Sequence, residues 1–101
     1  MGFFNKKVKP GTVVLNKKND NPFAKNHPLL QHSKDRAFVM TTDPTPKSGD
    51  KTEKINSNEA FGFDATLSFV TTNEVPNEQG VEIGKVSKKE LNRLKEWYLK
   101  S

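Results

Sequence analysis

Helical periodicity occurs once in this sequence, at its C-terminal end, and the β-rich runs all lie before it with no helix between them. Ser87-Lys88-Lys89-Glu90 reads as a capping box: the Ser87 hydroxyl can accept from the third helical amide while Glu90 reaches back to the cap. Val86 and Leu91 stand at the positions of a hydrophobic staple. Leu91, Leu94 and Tyr98 form a stripe flanked by Trp97 and Leu99, opposite Lys89, Asn92, Arg93, Glu96 and Lys100. Strands joined without helices pair as antiparallel neighbours, so a βαβ order is not expected.

The strand signals follow in chain order. Lys9-Pro10-Gly11 is a turn, and the β-branched run Thr12 to Leu15 is the first strand. Turn formers from Asn16 to Pro22 open a loop that continues to about Asp35. Arg36 to Thr42 reads as the second strand, stopped by Asp43-Pro44-Thr45-Pro46. A long polar loop covers 43–60; its core, Pro46 to Glu59, has one aliphatic residue and reads as a surface excursion. From Phe61 to Phe69 apolar residues alternate with Gly62, Asp64, Thr66 and Ser68, which predicts a half-buried strand supplying much of the core. Val70 to Thr72 continues it into a loop from Asn73 to Gly80, before a short strand at Val81 to Ile83. The expected fold class is mainly β (α+β): a small, strongly bent antiparallel barrel, SH3-like or OB-like, with a C-terminal α-helix. Residues 1–9 read as a basic arm and 10–101 as a single domain.

With 101 residues, 32% of them apolar, there is room for one small core, to which seven Phe contribute heavily. The absence of Cys removes disulfides, thiolate nucleophiles and cysteine-based zinc sites, and fits a cytoplasmic location. No apolar run approaches the roughly 20 residues of a membrane span. Met-Gly-Phe-Phe-Asn-Lys-Lys is too soon charged for a secretory signal. The net charge of +5 is concentrated early: Lys6, Lys7, Lys9, Lys17, Lys18 and Lys25 face Asp20 alone up to Asn26. Such a segment attracts a phosphate backbone, or simply keeps the chain soluble.

His27 and His32 precede Arg36 in a proline-containing loop. Zinc needs three or four convergent ligands, and no H-E-x-x-H or cysteine pair is present, so neither metal nor cofactor is expected. Phosphodiester cleavage without metal remains. It needs a base, an acid and a cation for the phosphate oxygens. Arg36 suits the cation role, His27 or His32 the proton transfers, and Thr41, Thr42 or the Thr71-Thr72 pair can orient a phosphate. Each has an ordinary alternative: a structural loop histidine, an Arg36–Asp35 ion pair, a threonine that merely favours strands.

Pro10-Gly11-Thr12-Val13-Val14, a polar loop, and Lys34-Asp35-Arg36-Ala37-Phe38-Val39-Met40 resemble the opening of the PemK/MazF family of toxins. There a P-G-[DT]-[IV]-[VI] strand precedes an R-P-x-V-V strand; Ala37 stands here in place of the proline. Ile83-Gly84-Lys85-Val86-Ser87-Lys88-Lys89-Glu90-Leu91 is similar to the G-K-[LV]-S-x-x-E-L run that leads into the family's last helix. The resemblance implies an SH3-like barrel, often dimeric, that cleaves RNA and is neutralised by an antitoxin. Arg36 then occupies the position of the arginine that is catalytic in many members. Two other classes stay open. One is a non-catalytic nucleic-acid-binding barrel of a phage or mobile element, binding RNA or DNA through Lys6, Lys7, Lys9, Lys17, Lys18 and Lys34. The other is a protein–protein adaptor docking through the helix face around Trp97.

Overall fold

A computed structural model describes residues 9–15, 27–77 and 80–101. Its elements are β1 (Thr12–Leu15), β2 (Leu29–Gln31), β3 (Arg36–Thr41), β4 (Thr52–Lys54), a 3-10 turn (Ser57–Glu59), β5 (Ala60–Phe61), β6 (Phe69–Pro76), β7 (Val81–Val86) and α1 (Lys88–Lys100). The strands form one antiparallel sheet in the order β4-β6-β3-β2-β1-β7-β5, curled into a half-barrel with α1 packed on it. The mainly-β expectation with a C-terminal helix therefore holds. No helix among the described residues is long and apolar enough to cross a membrane.

Alternation along the central strands separates two faces. Val13, Leu30 and Phe38 are cross-strand partners and point to the main core, where Met40, Ile55, Val70, Val86, Leu91 and Leu94 join them. Their neighbours Val14, Leu29 and Ala37 point the other way and form a smaller cluster with Val39 and Val75. Between Phe38 and Met40 the β3–β6 register shifts, because Phe38 pairs with Glu74 but Met40 with Val70. Thr71 plugs this bulge: its hydroxyl donates to Val39 O at 2.8 Å and accepts from Asn73 N–H at 3.1 Å. A bulge of this kind re-aims the residues beyond it, and here Glu74 is among them.

Four readings of the sequence need correction. The Asn16–Asp35 loop contains β2, whose three residues are all buried. The polar 43–60 loop contains edge strand β4 and the 3-10 turn. β6 does not stop at Thr72 but runs through the expected loop to Pro76. Most sharply, the run expected as one strand from Phe61 to Phe69 is strand only at its two ends, Phe61 in β5 and Phe69 in β6, and Gly62 to Ser68 between them is not. Gly62 turns the chain at φ 86°, Phe61 and Leu67 are exposed, and Ala65 alone of the alternating set is fully buried. Side chains there capture backbone groups a ladder would need: Thr66 N–H donates to Asp64 Oδ1 at 2.9 Å, and Ser68 Oγ donates to Asp64 O at 3.2 Å.

The helix begins where expected, but half of its capping box is redirected. Glu90 N–H donates to Ser87 Oγ at 3.1 Å, while the Glu90 carboxylate turns inward to accept from Asn56 N–H at 2.7 Å. Ser87 N–H donates instead to Glu59 O at 2.9 Å, and Ser87 Oγ to Glu59 Oε1 at 2.6 Å. The cap thus ties the helix to the 3-10 turn rather than closing on itself. Val86 and Leu91, the staple pair, are buried in one cluster.

Candidate functional site

The β2–β3 hairpin is closed by His32 to Asp35, and its geometry is set by short-range polar bonds. His32 N–H and Ser33 N–H both donate to Arg36 O, at 3.1 and 3.3 Å, and Arg36 N–H donates to Ser33 Oγ at 3.2 Å. From the end of β6, Asn77 clamps the same turn: Asn77 N–H donates to Asp35 O at 3.0 Å and Asn77 Nδ2 to Ser33 O at 3.1 Å. This places His32 and Arg36 side by side at one end of the sheet, with Lys34 exposed between them.

Glu74 joins them. As the cross-strand partner of Phe38, it shares a face with Phe38 and with Arg36, two residues earlier on the strand. Arg36 Nε donates to Glu74 Oε1 at 3.0 Å and Nη2 donates to Glu74 O at 3.3 Å. His32 Nε2 lies 2.8 Å from Glu74 Oε2. That approach is close but poorly aligned with the ring N–H direction, so neither His32 nitrogen makes a well-directed hydrogen bond among the described residues. The ring is buried, stacked on Phe38 at 4.1 Å between centroids, with Tyr98 of α1 at 6.3 Å. Burial pulls the His32 pKa below its ordinary value; Glu74 opposes this, and the charges of Lys95 and Arg36 add to it. The imidazole is therefore neutral at pH 7. Accessibility rises outward through the cluster, from 9% for the His32 side chain to 21% for Glu74 and 41% for Arg36.

The other residues singled out in the sequence lie elsewhere. Thr41 is at the far end of β3, roughly 16 Å from Arg36 at about 3.3 Å per residue, and its hydroxyl accepts from Asp43 N–H. His27 is exposed and precedes β2 at that same far end. Thr72 Oγ1 accepts from Lys51 N–H and donates to Asp50, so it and Thr71 are engaged in the sheet. Lys9 is exposed; Lys6, Lys7, Lys17 and Lys18 lie outside the described residues. Trp97 packs against the main core. The ion pair of Arg36 is made with Glu74 and not with Asp35.

Sequence reasoning missed Glu74 because it placed residue 74 in a loop. Val75, an apolar residue followed by Pro76, is the one local sign that the strand continues.

A second carboxylate–arginine cluster serves as an internal comparison. Arg93 donates from Nε and Nη2 to the two Glu90 oxygens at 2.8 and 2.7 Å, from Nη1 to Glu53 at 2.6 Å, and from Nη2 to Lys54 O at 2.8 Å. All three guanidinium nitrogens are engaged and Glu90 is buried. This cluster holds the helix to β4 and has no face left for a ligand.

Among the described residues, no group of three or more His, Asp or Glu side chains is placed to hold a metal ion. Comparison of the chain with family models, with curated proteins and with solved structures found no match.

Proposed function

We propose that this chain is a PemK/MazF-like barrel that acts on RNA in the cytoplasm as a metal-independent endoribonuclease. Arg36 holds the scissile phosphate and His32 takes part in proton transfer through the carboxylate beside it. The observation that carries this reading is the state of Arg36. Its Nε is fixed by Glu74, yet Nη1 makes no hydrogen bond among the described residues and the side chain is 41% exposed. A guanidinium pinned on one edge and open on another is prepared to receive phosphate oxygens bidentately. A homodimer and an antitoxin partner belong to the same reading.

The test is incubation of purified protein with long single-stranded RNA in EDTA, beside Arg36→Ala. Discrete cleavage by the wild type, lost in the variant, is the expected result. Intact RNA that shifts on a gel in a salt-dependent way would replace this reading with a non-catalytic nucleic-acid-binding barrel. Neither cleavage nor shift would remove both.

A further inference from the structure

We infer that Lys95 of α1 is a second phosphate-binding residue of this site, so that an RNA strand held on Arg36 at the β2–β3 hairpin passes over to the helix. This rests on the RNA reading above and adds a contact that neither the sequence motifs nor the hairpin itself marks.

The placement follows from the two elements that meet at His32. Arg36 shares a face of β3 with Phe38, and α1 covers that face, because Phe38 contacts Tyr98 at 5.1 Å between ring centroids. Arg36 therefore projects from the sheet on the side of the helix. Lys95 precedes Tyr98 by three positions and shares its side of α1, and Tyr98 lies 6.3 Å from the His32 ring. Burial, and beyond it the charges of Lys95 and Arg36, lower the pKa of His32 against the pull of Glu74. Both cations thus stand close enough to act on one imidazole, one from the hairpin and one from the helix.

The charge of Lys95 is unpaired where that of Arg36 is partly neutralised. Arg36 has Glu74, but Lys95 enters no ion pair among the described residues. The residues three and four positions from it, Leu91, Asn92, Tyr98 and Leu99, bring no carboxylate. Arg93, two residues earlier, is the opposite case, with its charge engaged by Glu90 and Glu53. Lys95 is half-buried, so its aliphatic stem packs while its ammonium group needs a partner from outside.

With Lys34 exposed on the hairpin, the surface presents separate single positive charges on two elements. A single-stranded backbone, with one negative charge per nucleotide, matches that pattern. A protein partner would need apolar anchors at the same place. Of the exposed large hydrophobics, Phe61 and Val81 belong to β5 and β7, across the sheet from the hairpin. Leu67 lies just before Phe69, which pairs with Thr41 at the other end of β3. Leu99 alone flanks Lys95, and one exposed leucine is an ordinary surface feature.

The experiment measures binding of a labelled single-stranded RNA by fluorescence anisotropy, in EDTA and over a range of salt concentrations. Its 2′-oxygens are methylated, so it cannot be cut through them. Wild type is compared with Lys95→Gln, Lys95→Ala and Lys95→Arg, with thermal melts of each. Lys47→Gln, on the exposed loop beyond the other end of β3, is the control. Lys95→Gln and Lys95→Ala should each weaken binding about threefold to fivefold. They should also lower the slope of log affinity against log salt by about 0.7, the share of one phosphate contact on a single strand. Lys95→Arg should keep both values, and Lys47→Gln should match the wild type. Gln keeps most of the packed stem, so Lys95→Gln decides if Lys95→Ala does not fold. Wild-type affinity and slope in Lys95→Gln, or an equal loss in Lys47→Gln, overturns the assignment and leaves the ribonuclease reading standing on its own cleavage assay. A wild type that binds no RNA also overturns the assignment, and the cleavage assay with Arg36→Ala then decides the ribonuclease reading separately. If Lys95→Gln weakens binding of a poly-glutamate peptide and leaves RNA binding unchanged, the surface takes a protein partner instead.

Discussion

The imidazole of His32 lies against the ring of Phe38, centroids 4.1 Å apart and planes 23° from parallel, so the candidate site rests directly on the hydrophobic core. Phe38 is fully buried and also contacts Tyr98 at 5.1 Å between centroids. Truncation to Ala removes the floor of the site and leaves a cavity. Phe38→Ala should cost about 3–5 kcal/mol in denaturant unfolding. A loss below about 1 kcal/mol would mean that the stack is not part of the packed core.

Burial of Glu90 makes the helix depend on Arg93. Removing the guanidinium leaves a buried carboxylate with only Asn56 N–H as donor, which for a buried pair costs about 3–5 kcal/mol. Arg93 is itself 43% exposed, so solvent screening lowers the expectation for Arg93→Ala to about 2–3 kcal/mol. Chemical denaturation of the variant checks this; a value typical of a surface pair, under about 1 kcal/mol, would show that the cluster does not anchor α1.

Acid should destabilise the protein in two stages of the same sign. His32 is held below its ordinary 6.5, chiefly by burial. Below that value the unfolded chain binds a proton that the folded chain refuses, so stability falls as pH drops from 6.5 through the folded pKa. Burial would raise the pKa of Glu90, but the bonds from Arg93 and Asn56 outweigh it and hold the group below 4.5. Its contribution is present above 4.5 and is lost as pH falls through the folded pKa. Thermal melts against pH should show both limbs, and His32→Gln should remove the first while leaving the second. A wild type whose stability is flat from neutrality down to the carboxylate range would contradict a buried neutral His32.

Gly84 on β7 admits no side chain. A Cβ there would lie 2.5 Å from both Phe61 O and a ring carbon of Phe63. Facing it, Gly62 sits at φ 86°, and its own Cβ would come within 3.0 Å of Gly84 Cα. Gly84→Ala must therefore push β5 away from β7. The expected cost is about 1–3 kcal/mol, as for an overpacked core, read as a drop in the unfolding midpoint. Gly49, whose Cβ would meet nothing within 4 Å, provides the contrast: Gly49→Ala carries the penalty of its φ of +82° without a clash.

Some elements were legible in the sequence because their signals are local. The hydroxyl of Ser87 reaches an amide three residues away, so the start of α1 is written in a few residues. Thr12 to Leu15 and Arg36 to Thr41 are β-branched or apolar runs bounded by turn chemistry, and both emerged as strands. The run from Phe61 to Phe69 has the better alternation and yet folds otherwise. Its period is satisfied equally by Asp64 and Ser68 turning back on their own backbone, and the place beside β3 goes to Phe69–Pro76.

By itself the sequence determined the class of fold, the start of the helix and its Ser87 cap, the strand Thr12–Leu15, the strand from Arg36 to within one residue of its end at Thr41, and the proximity of His32 to Arg36, all within reach of a few residues. Tertiary structure decided which carboxylates those groups meet. Glu74 is 38 positions from Arg36 and arrives through the β3–β6 register and its Thr71 bulge; Glu90 leaves its cap for Asn56, 34 positions away. Strand registers and buried ion pairs are chosen by the packing of the whole sheet, where burial makes a missing partner costly, and no local pattern encodes that choice.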